Sequence, residues 1–175
     1  MKTISTFLAS LLLMFAFVLA KPDLAMAFTP ILSTPRIVHM ALFSFAGQRP
    51  DFLGVKDSKL APCPNSPNCV STQSIDPEHS IPPITYTSSP EQAIANLKQI
   101  IQTQERAKII TEREDYLYVE FSSKLMGFVD DVEFYLNKDK GTIEMRSASR
   151  LGESDLGVNR QRLQSIVAKL QELST

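Results

Sequence analysis

Between residues 108 and 149 four short runs read as β-strands, and the gaps between them leave no room for a crossover. The runs are 108–112, 116–123, 127–136 and 142–149, joined through the turn-bearing stretches "REDY", "SKLMG" and "NKDKG". Parallel neighbours need a connection of a dozen or more residues, so these runs must pair as antiparallel hairpins. Helical patterns flank them. Ser89-Pro90-Glu91-Gln92 offers a capping hydroxyl, a proline at the first helical position and a Gln three residues after the cap. Ala93, Leu97, Ile100 and Ile101 then fall on one stripe of a helix ending near Glu105. A last helix over 156–173, capped by Ser154 or Asp155, buries Leu163, Ile166, Val167 and Leu170. One face of the sheet must be covered, and two helices suffice. The expected fold is α+β: an antiparallel four-stranded meander with two helices packed on one face, a two-layer sandwich.

Strand alternation sorts the polar residues. Leu117, Val119 and Phe121 point toward the helices, as do Phe128, Val132, Phe134, Ile143 and Met145. Asp130 falls in this apolar row, followed on the last strand by Ser147 and Ser149. A carboxylate there must find partners or neutralise, and Ser147, Ser149, Asn159 and Arg160 are the candidates. The other face carries Tyr116, Tyr118, Glu120, Asp131, Glu133, Tyr135, Glu144, Arg146 and Arg150. It is expected to be a solvated surface laced with cross-strand ion pairs, with an aromatic-edged recognition surface as the alternative.

The stretch "RSASRLGESDLGVNRQR", residues 146–162, brings four arginines to the junction of the last strand and the last helix. Guanidinium forks near a helix N-terminus can hold a phosphate or carboxylate. The acids Asp130, Asp131, Glu133, Glu153 and Asp155 can equally satisfy every one of these arginines internally. Candidate ligand-binding residues are Asp130, Arg146, Ser147, Ser149, Arg150, Asn159 and Arg160. No catalytic residue is assigned.

The chain opens with Lys2, an apolar run from Phe7 to Ala20 and the small-x-small end Ala25-Met26-Ala27. This is the layout of a secretory signal peptide over 1–27, cleaved after Ala27. The run is short for a spanning helix, which needs about 20 apolar residues, although an uncleaved anchor is the alternative. No cysteine near the cut suggests a lipid anchor. Residues 28–59 read as a lead-in with an apolar patch at 37–46, and 60–175 as the domain. Losing Lys2, Lys21 and Asp23 takes the 18 basic residues to 16 and the 19 acidic ones to 18, a net charge of −2. That balance gives no drive toward nucleic acid, and any anion site must be local.

Residues 61–83 are rich in Pro, Asn and Ser and read as loop. They contain the two cysteines, Cys63 and Cys69, in "PCPNSPNC". In an oxidising compartment such a pair tends to form a disulfide, here a local staple over a short ring. A redox-active pair and a metal claw are the alternatives, but the histidines on offer are only His79 and His39. No GxSxG, HExxH, P-loop or GxGxxG occurs, and the only two histidines fall in the lead-in and the loop, which argues against a Ser–His nucleophile. No cofactor is implied.

Three blocks, "RPDFLGVKDSKLAPCPNSPNCVSTQ", "GFVDDVEF" and "IEMRSASRLGESDLGVNRQRL", resemble the DUF1499 family, a domain of unknown function. The resemblance runs from Arg49 to Leu170. It picks out Cys63, Cys69, Asp130, Asp131, Glu133, Arg146, Ser147, Ser149, Arg150, Asp155, Asn159 and Arg160. It implies an exported domain of bacteria or of photosynthetic organisms, and brings no activity, cofactor or catalytic residue. The sequence therefore points to a protein exported to a periplasm, thylakoid lumen or the exterior. Its role is expected to be non-enzymatic, binding a protein partner near a membrane through the 37–46 patch and the outer sheet face. A small anionic-ligand or hydrolytic site around Asp130, Arg146, Arg150 and Arg160 is the alternative, and a thiol redox role for Cys63 and Cys69 a third.

Overall fold

The computed structural model describes residues 45–173. The leader, its cleavage site and the 37–46 patch, apart from Phe45 and Ala46, lie outside the described residues.

Helices α1 (Pro90–Gln102) and α2 (Val158–Leu173) accompany strands β1 (Cys69–Ser71), β2 (Ile84–Thr85), β3 (Ala107–Arg113), β4 (Tyr116–Ser122), β5 (Val129–Asn137) and β6 (Thr142–Ser149). The α+β class is as expected, but the antiparallel sheet has six strands, not four. β3 to β6 form the meander. β1 and β2 lie in tandem on the outer edge of β6, with Cys69 opposite Ala148 and Ile84 opposite Ile143. The segment 61–83, expected to be loop, thus supplies a strand. With three residues β1 is too short to show alternation, and what places it is the row of unpaired backbone groups along β6.

Ser89 caps α1 through its Oγ, which accepts from Gln92 N at 3.2 Å. The buried stripe is Ala93, Leu97, Ile100 and Ile101, and the helix stops before Glu105 because Thr103 closes the last turn onto Ile100 O. α2 is held at its start by Asp155, whose Oδ2 accepts from Asn159 N at 2.7 Å. Both helices cover one face of the sheet. Leu97, Ile101, Leu163 and Ile166 pack with Leu117, Val119, Val132, Phe134 and Met145 in one apolar cluster. Each such side chain, fully withdrawn from water, contributes about 1.5–3 kcal/mol.

Two local departures follow from backbone geometry. β5 begins at Val129, after Gly127 turns the chain at φ +68°. Phe128 therefore leaves the inner row assigned to it and stacks on Phe45, ring centroids 5.2 Å apart. The β3–β4 register shifts between Ile109 and Thr111. At this bulge Ile110 is the extra residue and packs on the outer face, where Thr111 next to it pairs with Tyr118, while Ile109 stays in the helix-side core.

Candidate functional site

The outer sheet face is not the solvated surface expected of it. The chain from Phe45 to Pro64 crosses it as a strap. Phe45 N donates to Met126 O at 3.2 Å, and Arg49 Nε to Glu120 Oε1 at 2.7 Å. Gly54 N then donates to Glu133 Oε1 at 2.7 Å, and Leu60 N to Gln73 Oε1 at 2.8 Å. Leu60 packs on Tyr116 and Tyr118, with Leu53 and Val55 beside them. Gly47 passes so close to the sheet that a Cβ there would lie 3.0 Å from Arg150 Cβ, which reserves the position for glycine. At Lys56-Asp57-Ser58-Lys59 the strap reverses. Asp57 and Ser58 both have positive φ, the geometry of a tight hairpin turn, and Lys56 and Lys59 pair across it.

Covered in this way, the polar residues of the outer face are buried. Tyr116, Tyr118, Asp131, Glu133, Glu144 and Arg146 all fall below 5 % exposure. Burial demands partners. Arg150 donates through Nε and Nη2 to both oxygens of Asp131, at 2.9 and 2.7 Å, and also to Glu120 and to Tyr118 Oη. The hydrogen bonds to Asp131 hold the Arg150 guanidinium above its ordinary pKa despite burial. Burial alone would raise Glu120, but hydrogen bonds from Arg150 and Arg49 outweigh it and hold the carboxyl below its usual range. Glu144 is held by the hydroxyls of Thr72, at 2.6 Å, and Thr142, at 3.1 Å.

Glu133 and Arg146 stand opposite one another on β5 and β6, and theirs is the poorer match. Glu133 is fully buried and accepts from Gly54 N and from Tyr116 Oη at 2.7 Å. Arg146 Nη1 reaches it only at 3.5 Å. Burial pushes Glu133 up and Arg146 down, since neither charge gets enough back from the other. Arg146 Nε is the one buried side-chain nitrogen or oxygen among the described residues without a hydrogen-bond partner.

Arg146 lies in the floor of a cleft of about 1060 Å³ between strap and sheet. Asp131, Ala148 and Arg150 share that floor. The walls are the strap residues Pro50, Phe52, Leu60, Pro62 and Pro64, with Lys56 and Lys59 also lining it. Phe52 lies under the Arg146 guanidinium, 5.9 Å from ring centroid to Cζ, and is otherwise 59 % exposed. Cys63 belongs to the wall and is bonded to Cys69, Sγ–Sγ 2.10 Å with Cα atoms 5.6 Å apart, so the strap's end is tied covalently to β1.

Asp130, Ser147, Asn159 and Arg160 lie on the helix side, away from Arg146 and Arg150, whereas Ser149 lines the cleft with those two arginines while its Oγ accepts from Asn159 Nδ2. Asp130 is paired, though not with Ser147, Ser149, Asn159 or Arg160. Its partner is Arg162, through Nη2 at 2.5 Å. Ser147, Ser149 and Asn159 bond to one another instead. Asn159 accepts from Ser147 Oγ and Arg162 Nη1, and donates to Ser149 Oγ and to Asn68 O. Arg160 turns away to the carbonyls of Ser80 and Glu78, at 2.7 and 2.6 Å. These contacts pin α2 to β6 and to the chain around β1. One helical turn separates Arg162 from Asn159, so the side chain beside Asp130 is the arginine two positions beyond the expected one.

The strap residues Arg49, Phe52, Gly54 and Leu60 had no place in the sequence-derived site. No local signal pointed to them: β3 already sets Lys108 opposite Glu120 and Arg113 opposite Tyr116, so the charge pattern of this face does not call for Arg49. Among the described residues no three His, Cys, Asp or Glu side chains group so as to hold a metal ion, and no helix is long and apolar enough to cross a membrane.

No curated protein matches the chain. A family model described as "Protein of unknown function (DUF1499)" matches residues 59–170. That match takes in the end of the strap, both cysteines, the whole meander and nearly all of α2, and the chain belongs to the DUF1499 family.

Proposed function

We propose that the protein is an exported, non-enzymatic binding domain that takes a small anionic ligand in the cleft beneath the strap. The observation that carries this reading is Arg146: a guanidinium 3 % exposed, with a buried donor unused, in the floor of an open cleft. Leaving a buried donor unmade costs about 1–3 kcal/mol, and the side chain that carries it lines the cleft. The other arginines of the 146–162 stretch are taken up by internal partners, which leaves Arg146 as the anchoring residue. The leader sequence supports an exported location.

The test uses anilinonaphthalene sulfonate, an anionic aromatic probe, titrated into the folded protein and followed by fluorescence. Saturable binding to the wild type is expected, weakened about tenfold by Arg146→Met and by the exposed-wall variant Phe52→Ala. Equal affinity in wild type and both variants would remove the cleft as an anion site.

A further inference from the structure

We infer that the ligand of this cleft is an amphipathic monoanion, a single carboxylate carried on an apolar body. The inference rests on the anion-binding reading above and adds the class of ligand.

Three observations carry it. The cleft holds about 1060 Å³, whereas a water-sized ion fills about 30 Å³, so a bare anion leaves almost all of it unused. The walls that an organic body would touch are apolar: Phe52, Leu60, Pro62 and Pro64 from the strap, and Ala148 from β6. Phe52 is a large aromatic ring left mostly in water while its face already meets Arg146, so it is placed to cover both the head and the body of one bound molecule.

The head group is limited by charge. Of the two guanidiniums in the floor, Arg150 is committed to Asp131 and Glu120, and only Arg146 has a donor to spare. Asp131 and Glu133 lie beside it, and Glu133 already claims part of its charge. A dianion would meet these carboxylates with one under-used cation to offset it, and like charges in a buried site repel strongly. A monocarboxylate matches what Arg146 has left, and its planar oxygens suit a guanidinium edge. Lys56 and Lys59 also line the cleft but are exposed, so they attract an anion through screened water without discriminating between heads.

Calorimetric titration of the folded protein with decanoate, decanol, decyl phosphate and inorganic phosphate separates the possibilities. Decanoate is expected to bind at a single site, about tenfold more tightly than decanol or decyl phosphate, with inorganic phosphate giving no heat. Arg146→Met should erase the advantage of decanoate over decanol. Phe52→Ala should weaken both and keep their ratio. If Arg146→Met fails to fold, Arg146→Lys replaces it: the charge stays, the Nε donor and planar fork go, and decanoate should still weaken severalfold. Wild-type affinity in that variant would overturn the role of Arg146. Decyl phosphate or phosphate binding as tightly as decanoate would overturn the monoanion and leave an anion site standing. Decanol binding as tightly as decanoate would overturn both.

Discussion

Arg150 and Asp131 form a two-pronged ion pair beneath the strap, Nε to Oδ2 at 2.9 Å and Nη2 to Oδ1 at 2.7 Å. The register explains why the pair is needed. Asp131 stands directly opposite Glu120 across β4 and β5, and like charges so placed destabilise a sheet. Arg150 also donates to Glu120 and so screens one carboxylate from the other. Arg150→Met should therefore cost about 3–5 kcal/mol, since it strands the buried Asp131 opposite the half-buried Glu120, which keeps only Arg49. Urea denaturation measures this, and a loss below about 1 kcal/mol, typical of an exposed pair, would contradict the assigned role.

On the helix side, Asp130 and Arg162 have side chains that are only 14 % and 13 % exposed. Asp130→Ala and Arg162→Ala should each lower stability by about 2 kcal/mol, the range of hydrogen bonds to charged groups. The double variant should cost less than the two single losses together, with a coupling of about 1 kcal/mol, because each single change strands the other partner. Strict additivity in the cycle would show that the pair is only a neighbourly contact.

Glu133 makes stability depend on pH in a stated direction. Burial raises its folded-state pKa above the ordinary 4.5, so the folded protein retains a proton that the unfolded chain has released. The stability this proton brings is fully present below 4.5 and is lost as pH rises through the raised value. Glu133→Gln cannot titrate there. The stability of wild type relative to Glu133→Gln should fall as pH climbs from about 4.5 toward neutrality, measured as paired denaturation midpoints. Parallel curves for the two proteins over that range would mean that Glu133 is not held protonated by burial.

The meander and both helices were legible in the sequence because their signals are local. Alternation along Leu117, Val119 and Phe121, the Ser89 cap and the 93–97–100–101 stripe each need only a few consecutive residues to be recognised. The same pleat correctly parted Asp130 from Asp131 and Arg146 from Ser147. What alternation cannot report is what lies on a face once it is formed. The outer face was polar in pattern, and polar pattern ordinarily means water.

Tertiary structure alone decided that this face is covered, that Arg49 from outside the sheet bonds to Glu120, and that Arg162 rather than Arg160 meets Asp130. It also decided that three residues before the meander become β1. The physical reason is the same in each case. These outcomes depend on partners far apart in the chain, such as Arg49 with Glu120 or Gly54 with Glu133, and a distant contact leaves no periodic trace in either of the segments that make it.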